Sequence, residues 1–410
     1  MTVHKYIIVG GGQAAASACE GIREIDQSGS ILVITDEAHL PHQRPPLSKS
    51  YLAGKVGLDK VLVHEESYYA DNNIEVMTGV AATRISRRGR KVALDNGSTV
   101  EYEELLLATG GRAWRLPLSG ADLPGVFTLR KIEDSDAIRE AAGEASQAVV
   151  IGGSFIGSEV AATLTQLGVK VTMCFLEEYP LQAIVPRELG DYVTRLFEDK
   201  GARLIPNMRP ERIVGGERIE AVHLENGEVV SCDMAVMGVG IRLNTQLARD
   251  ADLDLTDFSA IAVDEMLRTS DPHIWAAGDI AAWPDPHYER RLRVEHWDVA
   301  RSHGLQAGRN MAGASEPYTK APYFFSDIFD LSFEVWGDLV DWDRTVIRGS
   351  LEEESVSYWY FRKDTLVGVL AMGRPEEESD PMEQLVVRGL VYDDVADALQ
   401  DEDQSLDDLL

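Results

Sequence analysis

Residues Val149–Leu164 read VVIGGSFIGSEVAATL. An apolar run leads into a glycine pair, and apolar groups then recur at helical spacing, so the stretch reads strand, tight turn, helix. A turn of this kind brings a helix N-terminus and its open N–H groups up to the pyrophosphate of a dinucleotide. The chain already opens with one, YIIVGGGQAAASA at Tyr6–Ala18. Two such units predict two dinucleotide sites. One is expected to hold a flavin dinucleotide permanently and the other to admit a nicotinamide dinucleotide, with hydride passing between them where the domains face each other.

The first turn is Gly10-x-Gly12-x-x-Ala15. Alanine serves in its last position, which requires only close helix–strand packing. The next strand, Ser30–Thr35, runs into Asp36, the expected partner of the ribose hydroxyls, with Glu37 beside it. The second turn, Gly152-Gly153-Ser154-Phe155-Ile156-Gly157, carries Ser154 where the middle glycine belongs. Either its hydroxyl contacts the pyrophosphate itself, or the nucleotide sits higher and binds more weakly. Phe175 occupies the usual acidic position, so Glu177, ahead of Glu178, becomes the candidate for the adenosine ribose. A turn that no longer binds a nucleotide is the alternative at this second site.

Asp95-Asn96-Gly97 and Asn226-Gly227 mark hairpins, and Leu105–Gly111 reads as a buried strand ending in a glycine bend. From about Pro317 the composition shifts to alternating aromatics, PYFFSDIFDLSFEVWGDLV, which read as antiparallel strands and core. The acidic tail from Asp393 has helical leucine and alanine spacing. The expected fold is α/β: two Rossmann-like dinucleotide-binding domains, glutathione-reductase-like, plus a small α+β C-terminal domain. The FAD domain is split into 1–112 and 243–316 around a nicotinamide domain at 113–242, and 317–410 forms the third.

The 69 acidic against 39 basic residues give a net charge of −30, which excludes nucleic acid and anionic membranes as natural partners. Only ten of the basic residues are lysine, a balance that fits a salt-adapted surface or a merely acidic cytosolic enzyme. No apolar run reaches the roughly 18 residues of a membrane helix, and the N-terminus shows no leader pattern, so a cytoplasmic protein is expected. The three cysteines, Cys19, Cys174 and Cys232, form neither a Cys-x-x-Cys nor a metal pattern, and no metal site is expected.

The pieces RPPLSKSYL (Arg44–Leu52), LLLATGG, LRKIED (Leu129–Asp134), WAAGDIA, RVEHWDVA (Arg293–Ala300) and FFSDIFDLSFEVWGD (Phe324–Asp338) follow one another along the chain. In that order they resemble the FAD-dependent NAD(P)H reductases that include oxygenase-coupled ferredoxin reductases, rubredoxin reductases, apoptosis-inducing factor and monodehydroascorbate reductase. The resemblance implies that Asp36 and Lys49 contact FAD, that Arg130 touches its phosphate or ribose side, and that Asp279 binds the ribityl chain. It places Trp297 near the flavin ring. It pairs Lys49, on a loop stiffened by Pro45 and Pro46, with Glu159 near the flavin N5 and the nicotinamide, and makes these two the catalytic residues. Glu295 is implied on the nicotinamide amide. His296 is either a structural histidine or part of the site. The implied cofactor-binding set also takes in Ala14, Arg44, Ala82, Ala108, Thr109, Gly110 and Gly240. A fixed cation near N5 stabilises reduced, anionic flavin, and a paired carboxylate limits its desolvation cost.

The expected activity is FAD-dependent NAD(P)H oxidation, passing electrons to a small iron–sulfur protein of ferredoxin or rubredoxin type. The alternatives are a small-molecule acceptor (quinone, monodehydroascorbate or oxygen) and a redox-sensing interaction protein like apoptosis-inducing factor. The cofactors are FAD and NADH, with NADPH open, and the assembly is a monomer or homodimer. The absence of paired cysteines argues against a dithiol relay.

Overall fold

In the computed structural model, which describes residues 3–410, the strand Val3–Val9, apolar in its second half, is the hub of a seven-stranded sheet. Ile31–Ile34 and then Ile74–Met77 lie parallel on one side of it, and Thr99–Leu107 lies parallel on the other. The far edge of Thr99–Leu107 is shared. Its start pairs with Lys91–Leu94 in the hairpin closed at Gly97, and its end pairs with the much later strand Ile274–Ala276. Ile31–Ile34 is buried at every residue, as expected of a parallel strand covered on both faces.

Helix Gln13–Ile25 crosses helix Trp297–Met311 at backbone contact. A Cβ on Gly304 would stand 2.3 Å from the Ala14 carbonyl oxygen, and one on Gly308 2.2 Å from that of Ala18. Only small residues permit this approach. These segments belong to one compact unit, Met1–Arg44 with Gly57–Arg112 and Arg242–Pro322.

The other unit comprises Pro45–Val56, Ala113–Ile241 and Tyr323–Leu410. Its parallel sheet runs Arg203–Ile205, Lys170–Cys174, Gln147–Ile151, Met234–Met237, Val126–Thr128, and Pro210–Gly215, Ile219–Leu224 and Val229–Ser231 form a separate antiparallel sheet. The aromatic C-terminal segment forms a five-stranded antiparallel sheet, Tyr323–Ile328, Leu331–Gly337, Thr365–Met372, Ser355–Arg362 and Arg344–Ser350. Along Ser355–Arg362 the faces alternate. Trp359 and Phe361 join the core under helices Ser379–Arg388 and Tyr392–Gln400, whereas the Tyr358 hydroxyl donates to Glu188 on helix Arg187–Asp199 at 2.8 Å.

Residues 45–56, expected with the first nucleotide fold, group instead with the second. The reason is long-range hydrogen bonding: Ser135 donates to the Leu47 carbonyl at 2.8 Å, Thr163 to that of Ser48 at 2.8 Å, and Tyr51 to Asp136 at 2.9 Å. At the chain end Arg348, 3% exposed, donates to the carbonyls of Asp401 and Gln404 and pairs with Glu378, fastening the acidic tail to the sheet. Among the described residues no helix is long and apolar enough to cross a membrane.

Candidate functional site

In the first unit, Gly10 adopts φ +147°, and a Cβ there would lie 2.2 Å from the Ala108 carbonyl oxygen. Gly12 then caps helix Gln13–Ile25. Among the described residues no side-chain cap hydrogen bond is made at the helix start, and a Cβ on Gly12 would meet nothing within 4 Å. A glycine-capped helix N-terminus presenting backbone N–H groups is what a pyrophosphate requires, so these residues fit a flavin dinucleotide. Ala14 and Ala15 are buried on the first turn, and Gly278 approaches Ala14, which sets the buried Asp279 beside the helix start. The Trp297 indole donates to Gln13 at 2.9 Å.

Asp36 is exposed after the strand, and Glu37 is buried. Arg44 forks onto Glu37, with Nη1–Oε2 at 3.1 Å and Nη2 on Oε1, and Nη1 also reaches His42 Nε2 at 3.0 Å. Burial, reinforced by the Arg44 charge, pushes the His42 imidazole down to about 4. A neutral ring fits these contacts, with Nδ1–H donating to the Leu40 carbonyl at 3.2 Å and Nε2 accepting from Arg44.

The remaining expected residues are dispersed. Thr109 donates to the Asn244 carbonyl at 2.7 Å, next to Gly110 at φ +55°. Ala82 opens strand Ala82–Ser86 at the sheet edge. Glu295 is held by Arg293 at 2.5 Å, and His296 caps helix Trp297–Met311 with a 3.5 Å contact from the Asp298 N–H.

In the second unit, Gly152 adopts φ +118°, with its Cβ position 2.3 Å from the Gly238 carbonyl oxygen, and Gly157 packs against Gly152. Ser154 caps helix Phe155–Gln166, but its hydroxyl donates to the Gly238 carbonyl at 3.0 Å and does not cap the helix N–H groups. The tolerated serine is therefore tied back to its own turn. The Phe175 ring lies where a Cβ on Gly153 would stand, at 2.9 Å, so the aromatic in the acid position supports the turn from below. Glu177 is exposed, while Glu178 is taken by Arg187 at 2.5 Å. Ile156 is exposed, the Gly240 carbonyl accepts from the Trp114 N–H, and Arg130 is half-buried with its backbone N–H on Asp134.

Lys49 and Glu159 meet in this unit at 2.8 Å. Lys49 follows the short turn Pro45–Ser48, and Glu159 lies in the second turn of helix Phe155–Gln166. The carboxylate, 4% exposed, takes two further donors: Ser48 Oγ on Oε2 at 2.5 Å and Ser326 Oγ on Oε1 at 2.6 Å. Phe325 lies against the Lys49 ammonium, 5.9 Å from ring centre to Nζ, and Phe324 meets Phe155 edge-on at 5.4 Å. Sequence reasoning missed both serines. A lone hydroxyl inside the aromatic run YFFSDIF is the signal that marks Ser326.

Residues 4–304 match the pyridine nucleotide-disulphide oxidoreductase family, and residues 323–410 match the reductase C-terminal family. The chain belongs to the pyridine nucleotide-disulphide oxidoreductases. As a member it is an FAD-dependent oxidoreductase that also uses a pyridine nucleotide. It is 33% identical to the probable ferredoxin reductase CtmF of Castellaniella defragrans over 91% of each chain. Two of the solved structures that share its fold are reductases. The ferredoxin reductase for the CYP199A2 system from Rhodopseudomonas palustris has a TM-score of 0.93 at 32% identity, covering 99% of both chains. The covalent putidaredoxin reductase–putidaredoxin complex has a TM-score of 0.93 at 29% identity, covering 99% of this chain and 98% of that one.

Proposed function

We propose that this oxidoreductase takes electrons from NADH and delivers them singly to a small iron–sulfur protein. The observation that carries this reading is the pair of glycine turns together with the buried Lys49–Glu159 ion pair. FAD would supply the chemistry, accepting a hydride from the nicotinamide and releasing its electrons one at a time. The chain's own residues divide the work. Gly10, Gly12 and the N–H groups after them hold the flavin pyrophosphate, Asp36 or Glu37 its ribose, and Asp279 its ribityl hydroxyls. Gly152, Gly157 and the intervening turn hold the nicotinamide nucleotide. Lys49 and Glu159 serve the hydride-transfer step. The chain then divides by function as 1–112 with 243–316, 113–242 and 317–410.

Relatives named as ferredoxin and putidaredoxin reductases favour a protein acceptor. The cysteines argue against a dithiol relay. Cys19, Cys174 and Cys232 are all buried, and burial pushes each thiol up to about 12, so none is available as a thiolate for disulfide exchange. Preference for NADH rests on Glu177, whose exposed carboxylate suits a 2′-hydroxyl and repels a 2′-phosphate. Arg187, the nearby cation that could receive such a phosphate, is already shared between Glu178 and Asp191.

The test is anaerobic flavin reduction by each nicotinamide in turn. NADH should reduce the flavin faster at equal concentration, and Glu177→Ala should narrow that preference. Faster reduction by NADPH would overturn the assignment, and an unchanged ratio in Glu177→Ala would move the ribose contact to another group.

A further inference from the structure

Glu159 is in effect a buried carboxylate with an incomplete set of donors until the C-terminal segment arrives. Lys49 and Ser48 come from the loop at 45–56, and Glu159 itself from helix Phe155–Gln166. The third donor, Ser326, comes from strand Tyr323–Ile328, within the segment that matches the separate reductase C-terminal family. Its hydroxyl, 1% exposed, lands on Oε1, the same oxygen that accepts the Lys49 ammonium. A carboxylate accepts only, so two O–H donors at 2.5 and 2.6 Å fix both of its oxygens and hence the direction in which it receives Lys49.

The strand that carries Ser326 is held in register from both ends. Before the serine, Phe324 packs edge-on against Phe155, the first residue of the Glu159 helix, and Phe325 lies against Lys49. After it, the hairpin to Leu331–Gly337 turns through Phe329, a bulky residue at φ +55°. Such a residue is strained in the left-handed region. Phe329 packs at 5.0 Å against Phe197 of helix Arg187–Asp199, which anchors the turn. A one-residue slip would turn Ser326 to the opposite face of the sheet and take its hydroxyl off Glu159.

We propose that Ser326 is a positioning residue for the Lys49–Glu159 pair, and that the C-terminal segment thereby completes the site carried by the preceding domains. This rests on the assignment of Lys49 and Glu159 to hydride transfer. Ser326 sets the orientation of the carboxylate, and through it of the ammonium, without touching the nicotinamide.

The test uses holoenzyme carrying Ser326→Ala, Ser326→Thr or Glu159→Met, and the double variant Ser326→Ala/Glu159→Met. Ser326→Ala should lower the limiting rate constant of flavin reduction by NADH about tenfold, the loss expected for one hydrogen bond to a charged group. The NADH dissociation constant and the FAD content should not change. Ser326→Thr keeps the hydroxyl and should restore most of the rate. Thermal unfolding supplies a readout independent of turnover: the shift caused by Ser326→Ala should largely vanish in the Glu159→Met background, where no acceptor for the hydroxyl remains. Equal rate loss in Ser326→Ala and Ser326→Thr, or thermal shifts that simply add, would overturn the proposal. Lys49→Met separates the two ideas. If it slows reduction while Ser326→Ala does not, only the positioning role fails; if Lys49→Met itself leaves the rate unchanged, the assignment of the pair fails.

Discussion

Lys49→Met would leave the Glu159 carboxylate, 4% exposed, with two hydroxyl donors and no cation. Removing one partner of a buried ion pair costs about 3–5 kcal/mol, and the partial exposure of Lys49 puts this pair toward the lower end. The variant should therefore unfold at a lower temperature and be reduced more slowly by NADH. Lys49→Met/Glu159→Gln should be less destabilised than the two single losses added, and denaturation midpoints that add would show the pair to be uncoupled. A second prediction concerns His303, wholly buried between the rings of Trp283 and Tyr318 at 4.5 Å each and pushed down to about 3 by burial alone. Its folded value lies below the unfolded value of about 6.5, so the unfolded chain takes up a proton that the folded chain refuses. The neutral ring's contribution is complete above about pH 6.5 and is lost at about 1.4 kcal/mol per pH unit as the pH falls toward 3. His42 adds the same dependence down to about 4. Denaturation midpoints should fall steeply below pH 6, and His303→Phe should flatten that slope; equal slopes would contradict the assignment. Glycine spacing made both nucleotide turns legible in the sequence, because only glycine tolerates Gly10 at φ +147° and Gly152 at φ +118°. The orientation of Ser154 was not legible, since a hydroxyl facing a phosphate and one facing its own turn leave the same letter in the chain.

Helix Trp297–Met311 could not be placed from sequence, although its packing is encoded. Gly304 and Gly308 lie four apart, as do Ala14 and Ala18 opposite them, which forms two small-residue ridges. Gly304→Ala would drive a Cβ to 2.3 Å from the Ala14 carbonyl, on the first turn of the helix assigned to the flavin pyrophosphate. Overpacking of this kind costs about 1–3 kcal/mol. The variant should lose FAD more readily during dilution or dialysis, whereas full retention at the parent's midpoint would show that the helices separate without disturbing the turn. The strands were easier to read. Period-two aromatics fixed the C-terminal sheet, and Asn-Gly pairs fixed two hairpins, because both are local signals. The grouping of residues 45–56 with the second fold was hidden, since it depends on hydrogen bonds from Ser135, Thr163 and Tyr51 that are remote in sequence. The anchoring of the acidic tail was likewise hidden, since Arg348, which donates to its carbonyls, is remote in sequence. Arg348→Met should expose residues 399–410 to limited proteolysis while the rest of the chain resists; an unchanged cleavage pattern would mean that packing of Leu399 and Leu406 holds the tail unaided.

The net charge of −30 acts on the molecule as a whole. Raising the ionic strength from about 0.1 M to about 1 M shortens the screening length from about 10 Å to about 3 Å and relieves self-repulsion. The thermal midpoint should rise accordingly, and so should the rate of electron delivery to an acidic carrier, which the bare charge would repel. A midpoint that falls with salt would show that attractive pairs, such as Arg187 with Glu178 and Asp191, outweigh the repulsion. Electron transfer from NADH to a one-electron iron–sulfur protein is tested most directly by mixing anaerobic, NADH-reduced enzyme with an oxidised ferredoxin-type carrier at high salt and following both chromophores. Two carrier molecules should be reduced, one electron each, for every flavin that is reoxidised. Flavin that stays reduced in the presence of such carriers, yet is promptly reoxidised by a quinone or by oxygen, would contradict it.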